Sequence, residues 1–332
     1  AAGEWGGLMS GMSDPYALHR DFIRPAWPAS ALWRVLVMIG AFGVVFALTP
    51  TVFAAVLPNQ NLVDAFYEGT TAFGTLAQFA SFGVAAAGFI VLLQLLHGRG
   101  FWSLIGPVAA AKRDLTRVAL FVGFWLFVLE VLPPWIERSD LAQVRDLGTW
   151  LSLLPFALVV LVIQVGTEEI FFRGYLQQQF ACLSSSRLAW MVLPSLLFGG
   201  LHFWNGNGVA EGVIWAIWAT GLGIACADLT ARTGNLGAAV GLHLANNAFA
   251  LLIVVSIAAL MYSSVTRVVS VSSIRNRNVP PVWRAYAQSK SAVRIFPTCK
   301  SPVGDGAKRT FTFLLMDARS PYWLIGQGLR WI

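Results

Sequence analysis

Apolar residues run along this chain in long unbroken stretches, without the strict alternation that marks a half-buried strand. Seven stretches have about the 20 residues a membrane-crossing helix needs. They cover roughly 35–57, 72–96, 116–133, 150–172, 188–204, 209–229 and 236–262. The last is long enough to be a broken pair, 236–249 and 250–262. Helices are the element that fits continuous apolar runs, because backbone surrounded by lipid must satisfy its own hydrogen bonds. The pattern predicts an all-α, polytopic membrane helix bundle of about eight transmembrane helices.

The polar segments between the runs carry Lys and Arg alternately. Arg20, Arg24 and Arg34 precede the first run, and the 58–71 loop has none. Arg99, Lys112, Arg113 and Arg117 fall in 97–117, Arg138 and Arg145 with three acids among them in 134–149, Arg173 and Arg187 in 173–187, and Arg232 in 230–235, whereas 205–210 has none. By the bias of basic residues toward the cytoplasm, the N-terminus is expected inside. Eight spans would also keep the C-terminal tail inside. The expected organisation is a cytoplasmic segment 1–34, N-terminal helices 35–149, a core 150–262 and a basic tail 263–332. The first 30 residues lack a basic stretch followed by a short apolar run, so no cleavable signal peptide is expected.

Composition agrees with the pattern. Of 332 residues 57% are hydrophobic and 12% charged, with a mean hydropathy of +0.66. A soluble chain carries about 25% charged residues, so too few are present here to cover a soluble surface. The net charge of +7 changes this picture only at one end. Residues 1–261 hold 12 Lys and Arg against 14 Asp and Glu, and residues 262–332 hold 11 against 2. The body is nearly neutral and has no basic stripe, so no nucleic-acid partner is expected. The tail reads as a poorly structured extension, or as an arm lying on anionic lipid. Cys182, Cys226 and Cys299 form no disulfide or thiolate-metal pattern.

Charged and strongly polar side chains within membrane helices are expensive and mark functional positions by default. Three constellations qualify. In Glu168-Glu169-Ile170-Phe171-Phe172-Arg173, at the expected cytoplasmic end of the fourth run, Glu169 and Arg173 are one helical turn apart in the favourable order for an ion pair. Glu168 points about 100° away and is left for chemistry, as a general base. In Phe198-Gly199-Gly200-Leu201-His202, Phe198 and His202 share a face, and the glycines permit close helix approach. In His243-Leu244-Ala245-Asn246-Asn247, His243 and Asn247 share a face suited to metal ligation or to hydrogen-bonding an oxyanion. Each alone also fits a plainer role: the wet end of a span, an interfacial histidine, or hydrogen bonding between helices. Gly234, Gly237 and Gly241 predict a tightly packed last helix, and His19 and His97 read as ordinary surface residues.

In order and spacing, EExxxR, FxxxH and HxxxN over about 155–255 resemble the CPBP intramembrane protease family, which includes the type 2 CAAX prenyl proteases and the bacteriocin-processing Abi group. The resemblance implies an eight-helix layout and an intramembrane endopeptidase. It implies that Glu168 activates water with His202 helping to hold it, that His243 and Asn247 stabilise the oxyanion, and that Glu169, Arg173 and Phe198 support them. The family chemistry is compatible with Zn2+ held by His202, His243 and Glu168, and equally with a glutamate base and no metal. Implied substrates are peptides or proteins, among them prenylated CAAX proteins. Two other classes remain open on the residues themselves: a solute or proton transporter using the intramembrane acids and histidines as a relay, and a non-catalytic scaffold or bacteriocin immunity factor. No repeat of the polar motifs between the two halves supports transport.

Overall fold

A computed structural model describes residues 14–69, 71–131, 147–206 and 208–250. Among these, every regular element is helical. A short helix α1 (Ala17–Ile23) and a 3-10 turn (Arg24–Ala29) lead into α2 (Leu32–Ala54). The short α3 (Gln60–Glu68), which lies in the stretch expected as a loop, is followed by α4 (Ala72–His97), a 3-10 turn (Phe101–Leu104) and α5 (Val108–Val131). Next, α6 begins at Leu147–Phe171, passes through a π turn (Phe172–Gln177) and ends in Gln178–Leu183. A π turn (Leu188–Val192), Leu193–Leu201 and a 3-10 turn (His202–Asn205) make up α7. The last elements are α8 (Val209–Thr233) and α9 (Gly237–Ala248).

Among the described residues four helices are long and apolar enough to cross a membrane: Leu32–Ala54, Ala72–His97, Gly148–Leu183 and Val209–Thr233. The protein is a multi-pass membrane protein. The expected run 116–133 lies in α5, whose first half carries Lys112, Arg113, Asp114 and Arg117. The run 188–204 is α7, and 236–249 is α9. The eighth expected span, 250–262, and the tail 263–332 lie outside the described residues.

Local chemistry sets the helix ends. Asn59 and Thr71 cap α3 and α4 by accepting from the Leu62 and Gly74 amides at 3.1 and 3.0 Å. Gly69, Gly98 and Gly234 end α3, α4 and α8 with φ of 65°, 63° and 65°. Small residues set the helix spacing. A Cβ on Gly237 would run into the Ala111 carbonyl, and one on Gly241 would meet the Leu115 carbonyl, so α9 lies against the backbone of α5. Gly199 likewise brings α7 onto Thr220 and Ala216 of α8. Phe42, Phe89 and Phe171 stack at 4.4–5.5 Å and join α2, α4 and α6.

Three expectations are corrected. Arg173 is not in a loop, since α6 continues to Leu183 and buries it. Lys112, Arg113 and Arg117 lie on α5 and not in a connection. His19 and His97 are buried and not surface residues. His97 Nδ1 donates to the Ala29 carbonyl at 2.9 Å and Nε2 accepts from the Tyr175 hydroxyl at 2.9 Å. His19 lies against Trp190, ring centroids 4.5 Å apart, and 3.4 Å from Gln177 Nε2. Burial holds the His19 imidazole down to about 4 and brings the Arg99 guanidinium down to about 10. The segment 17–29 is therefore part of the folded body. It ties α1 and its 3-10 turn to the ends of α4, α6 and α8, where Tyr16 also donates to Asp228 at 2.6 Å.

Candidate functional site

The site is assembled from the middle of α6, the end of α7 and the second half of α9. On α6, Glu169 and Arg173 form the expected pair: Arg173 donates to Glu169 Oε1 at 2.7 Å. Glu169 is 0% exposed and Arg173 1%, so they do not mark the wet end of a span. The π turn that starts at Phe172 buries every residue to Gln177. Gly174 in it has Leu104 where a Cβ would stand.

His243 lies between the two acids. Its Nδ1 is 2.8 Å from Glu169 Oε1, and its Nε2 is 3.5 Å from Glu168 Oε2. The Glu169 carboxylate already accepts from Arg173 and is acceptor-only when ionised, so Nδ1 must be the donor. In the neutral ring Nε2 then carries the lone pair toward Glu168. Glu168 has a side chain 16% exposed, and its Oε2 is buried with no hydrogen-bond partner. One carboxylate is held by a cation and an imidazole; the other is not.

Phe198 connects the remaining groups. Its ring centroid is 4.4 Å from that of His202 and 5.6 Å from that of His243. The Arg173 guanidinium carbon lies 4.7 Å from it. His202 Nδ1 donates to the Phe198 carbonyl at 2.8 Å, one turn back, leaving Nε2 as the acceptor of the neutral ring. Asn247 follows His243 by one turn, as expected. Its Nδ2 donates to Gln164 Oε1 at 3.2 Å, and its Oδ1 accepts from Asn246 Nδ2 at 3.1 Å.

The acceptor nitrogens of His202 and His243 with the Glu168 carboxylate have the chemistry of a Zn2+ site. They do not converge as one: among the described residues no three His, Cys, Asp or Glu side chains are grouped to hold a metal ion. Gln164 was not among the residues singled out in the sequence. It obeys the same rule as those that were, being a polar side chain inside an apolar span, one turn from Glu168.

Comparison with known proteins now adds to the geometry. Residues 150–249 match the family described as type II CAAX prenyl endopeptidase Rce1-like. The core over these residues is similar to the CAAX protease family. The match contains every motif residue from Glu168 to Asn247 and stops where the described residues of α9 end. The chain is also similar to an uncharacterised protein, YyaK, of Bacillus subtilis (strain 168). That relative is 28% identical over 243 residues, which cover 69% of this chain and 80% of YyaK. No solved structure matches the chain significantly. A CAAX-protease core implies a membrane environment and a peptide or protein substrate, which accords with the apolar helices around the site.

Proposed function

We propose that the chain is an intramembrane endopeptidase in which Glu168 is the general base. The observation that carries this reading is the position of His243: 2.8 Å from the fully buried Glu169, 3.5 Å from the partly buried Glu168, and itself buried. A water donating one hydrogen to Glu168 and the other to His202 Nε2 would attack the scissile carbonyl carbon. Glu168 takes a proton from that water as the C–O bond forms. The carbonyl π electrons move to the oxygen, and Asn247 Nδ2–H donates to the resulting oxyanion. Glu168 then returns the proton to the leaving amine nitrogen as the C–N bond breaks. Glu169 and Arg173 hold the His243 ring. With its Nδ1 hydrogen given to Glu169, His243 would donate to the oxyanion only in its doubly protonated form. Asn247 is therefore the donor in the neutral site. No step is routed through a metal, because the three donors that would hold Zn2+ do not converge.

In this reading the N-terminus is cytoplasmic, as Arg20, Arg24 and Arg34 before α2 and the absence of Lys and Arg from 58–71 favour, and cleavage takes place near the cytoplasmic face of a bacterial inner membrane. Substrates in this reading are membrane-associated peptides or proteins, with prenylated CAAX peptides as the first class to test. The test is cleavage by the purified protein in liposomes, with Glu168→Ala and His243→Ala in parallel. Both variants are expected to be inactive. Activity that survives both substitutions overturns the reading, and substrate flux without cleavage would replace it with transport.

A further inference from the structure

The antiparallel pair α6 and α9 is joined by two polar rungs one helical turn apart. The first is Glu168 and Glu169 with His243. The second is Gln164, four residues before Glu168, with Asn247, four residues after His243. The spacing is the same on both helices, so the second rung fixes the rotation and height of Asn247 relative to Glu168. Gln164 is buried, 6% exposed. In the structure the Asn247 amide bonds a neighbour at each end. Its Oδ1 accepts from Asn246, which turns Nδ2 toward the Gln164 oxygen. One Nδ2 hydrogen is thereby used, and the second is directed by the amide plane.

We propose that Gln164 is a positioning residue: through its bond to Asn247 it aims the second Asn247 Nδ2 hydrogen at the place where the oxyanion forms. This rests on the endopeptidase reading above. Gln164 touches no reacting atom. It acts by holding a donor whose value depends on pre-set geometry, and a displacement of about 1 Å in such a group can lose about 10²-fold in rate.

The test uses the full-length protein in detergent micelles and a farnesylated CAAX peptide with a fluorophore and quencher on either side of the scissile bond. Gln164→Met keeps the shape and removes the acceptor. It is expected to lower kcat about 10- to 100-fold, with KM within about twofold and the thermal midpoint close to wild type. Asn247→Ala is expected to lose about 10²–10³-fold in kcat. Adding Gln164→Met to Asn247→Ala is expected to lose nothing further, because the two act as one unit. Gln164→Glu, which keeps an acceptor oxygen, should retain more kcat than Gln164→Met at equal folded fraction. Losses that multiply in the double variant, or wild-type kcat in Gln164→Met, overturn the positioning role while leaving the protease reading intact. No Glu168-dependent cleavage by the wild type overturns both.

Discussion

Replacing Arg173 with methionine keeps most of the side-chain stem and removes the guanidinium that is bonded to Glu169. The acid is wholly buried, its Oε1 serves both Arg173 and His243, and its Oε2 has no hydrogen-bond partner. Breaking such a pair from one side leaves a charge with nothing to compensate its desolvation, which costs about 3–5 kcal/mol. Loss of the guanidinium from the face of Phe198, 4.7 Å away, acts in the same direction. Removing both partners together is a different perturbation. Glu169→Leu with Arg173→Met leaves no buried charge at this position, and such replacements are often close to neutral. The double variant is therefore expected within about 1–2 kcal/mol of wild type, although His243 loses its anchor and activity is lost. The assay is denaturant unfolding in mixed micelles followed by tryptophan fluorescence, with cleavage measured on the same samples. An Arg173→Met variant as stable as wild type, or a double variant less stable than the single, would refute the reasoning.

Glu168→Gln is expected to reduce kcat by about 10²–10⁴-fold with stability equal to or above wild type, because Glu168 Oε2 is buried without a bonding partner; cleavage assays and melting curves check the two halves. Gly237→Val places side-chain carbon against the Ala111 carbonyl and is expected to destabilise by at least about 1–3 kcal/mol, read as a lowered melting midpoint and reduced folded yield. Burial holds His19 at about 4 against an ordinary 6.5, so below pH 6.5 the unfolded chain binds a proton that the folded chain refuses. Stability then falls as pH drops from 6.5 to 4, by up to roughly 3 kcal/mol, and His19→Phe should flatten that slope in melting curves across the same range.

What the sequence revealed of this molecule depended on the range of the interaction. Pairs one turn apart on a single helix were legible, since 3.6 residues per turn dictates them: Glu169 with Arg173, Phe198 with His202, and the shared face of His243 and Asn247. The glycines of α9 were legible as a packing face, though not that α5 was the partner. Contacts between distant segments were not legible. Nothing in the spacing says that Asn247 meets Gln164, or that His243 faces both acids. The second half of α6 was missed for a related reason. Arg173, Gln177, Gln178 and Gln179 look like loop composition, yet all are buried. Gln177 bonds the Ala227 carbonyl at 3.0 Å, and Gln178 bonds the Ser103 carbonyl at 3.2 Å and Arg99. Polar partners from other segments accompany Gln177 and Gln178 into the interior, whereas the Gln179 side-chain amide has no hydrogen-bond partner there.

The same burial pattern explains how an ionisable pair can sit inside so apolar a helix. The stretch Gly148–Leu183 is 36 residues, about 54 Å at 1.5 Å per residue, against a hydrocarbon layer of about 30 Å. Its large exposed apolar side chains are Leu151, Phe156, Leu158, Val159 and Val162, with none again until Leu183. From Ile170 to Gln179 each residue is buried in protein instead, under α1 and the 98–107 connection. The exposed apolar face of α6 thus ends between one and two turns before Glu168, and the carboxylates stand where that face gives way to residues packed in protein. Beyond that level Phe171 packs against Phe42 and Phe89, and Phe198 lies beside His243. In the proposed endopeptidase, Glu168 would therefore act from a protein-packed setting next to an apolar surface, where a membrane-anchored peptide could be presented to it.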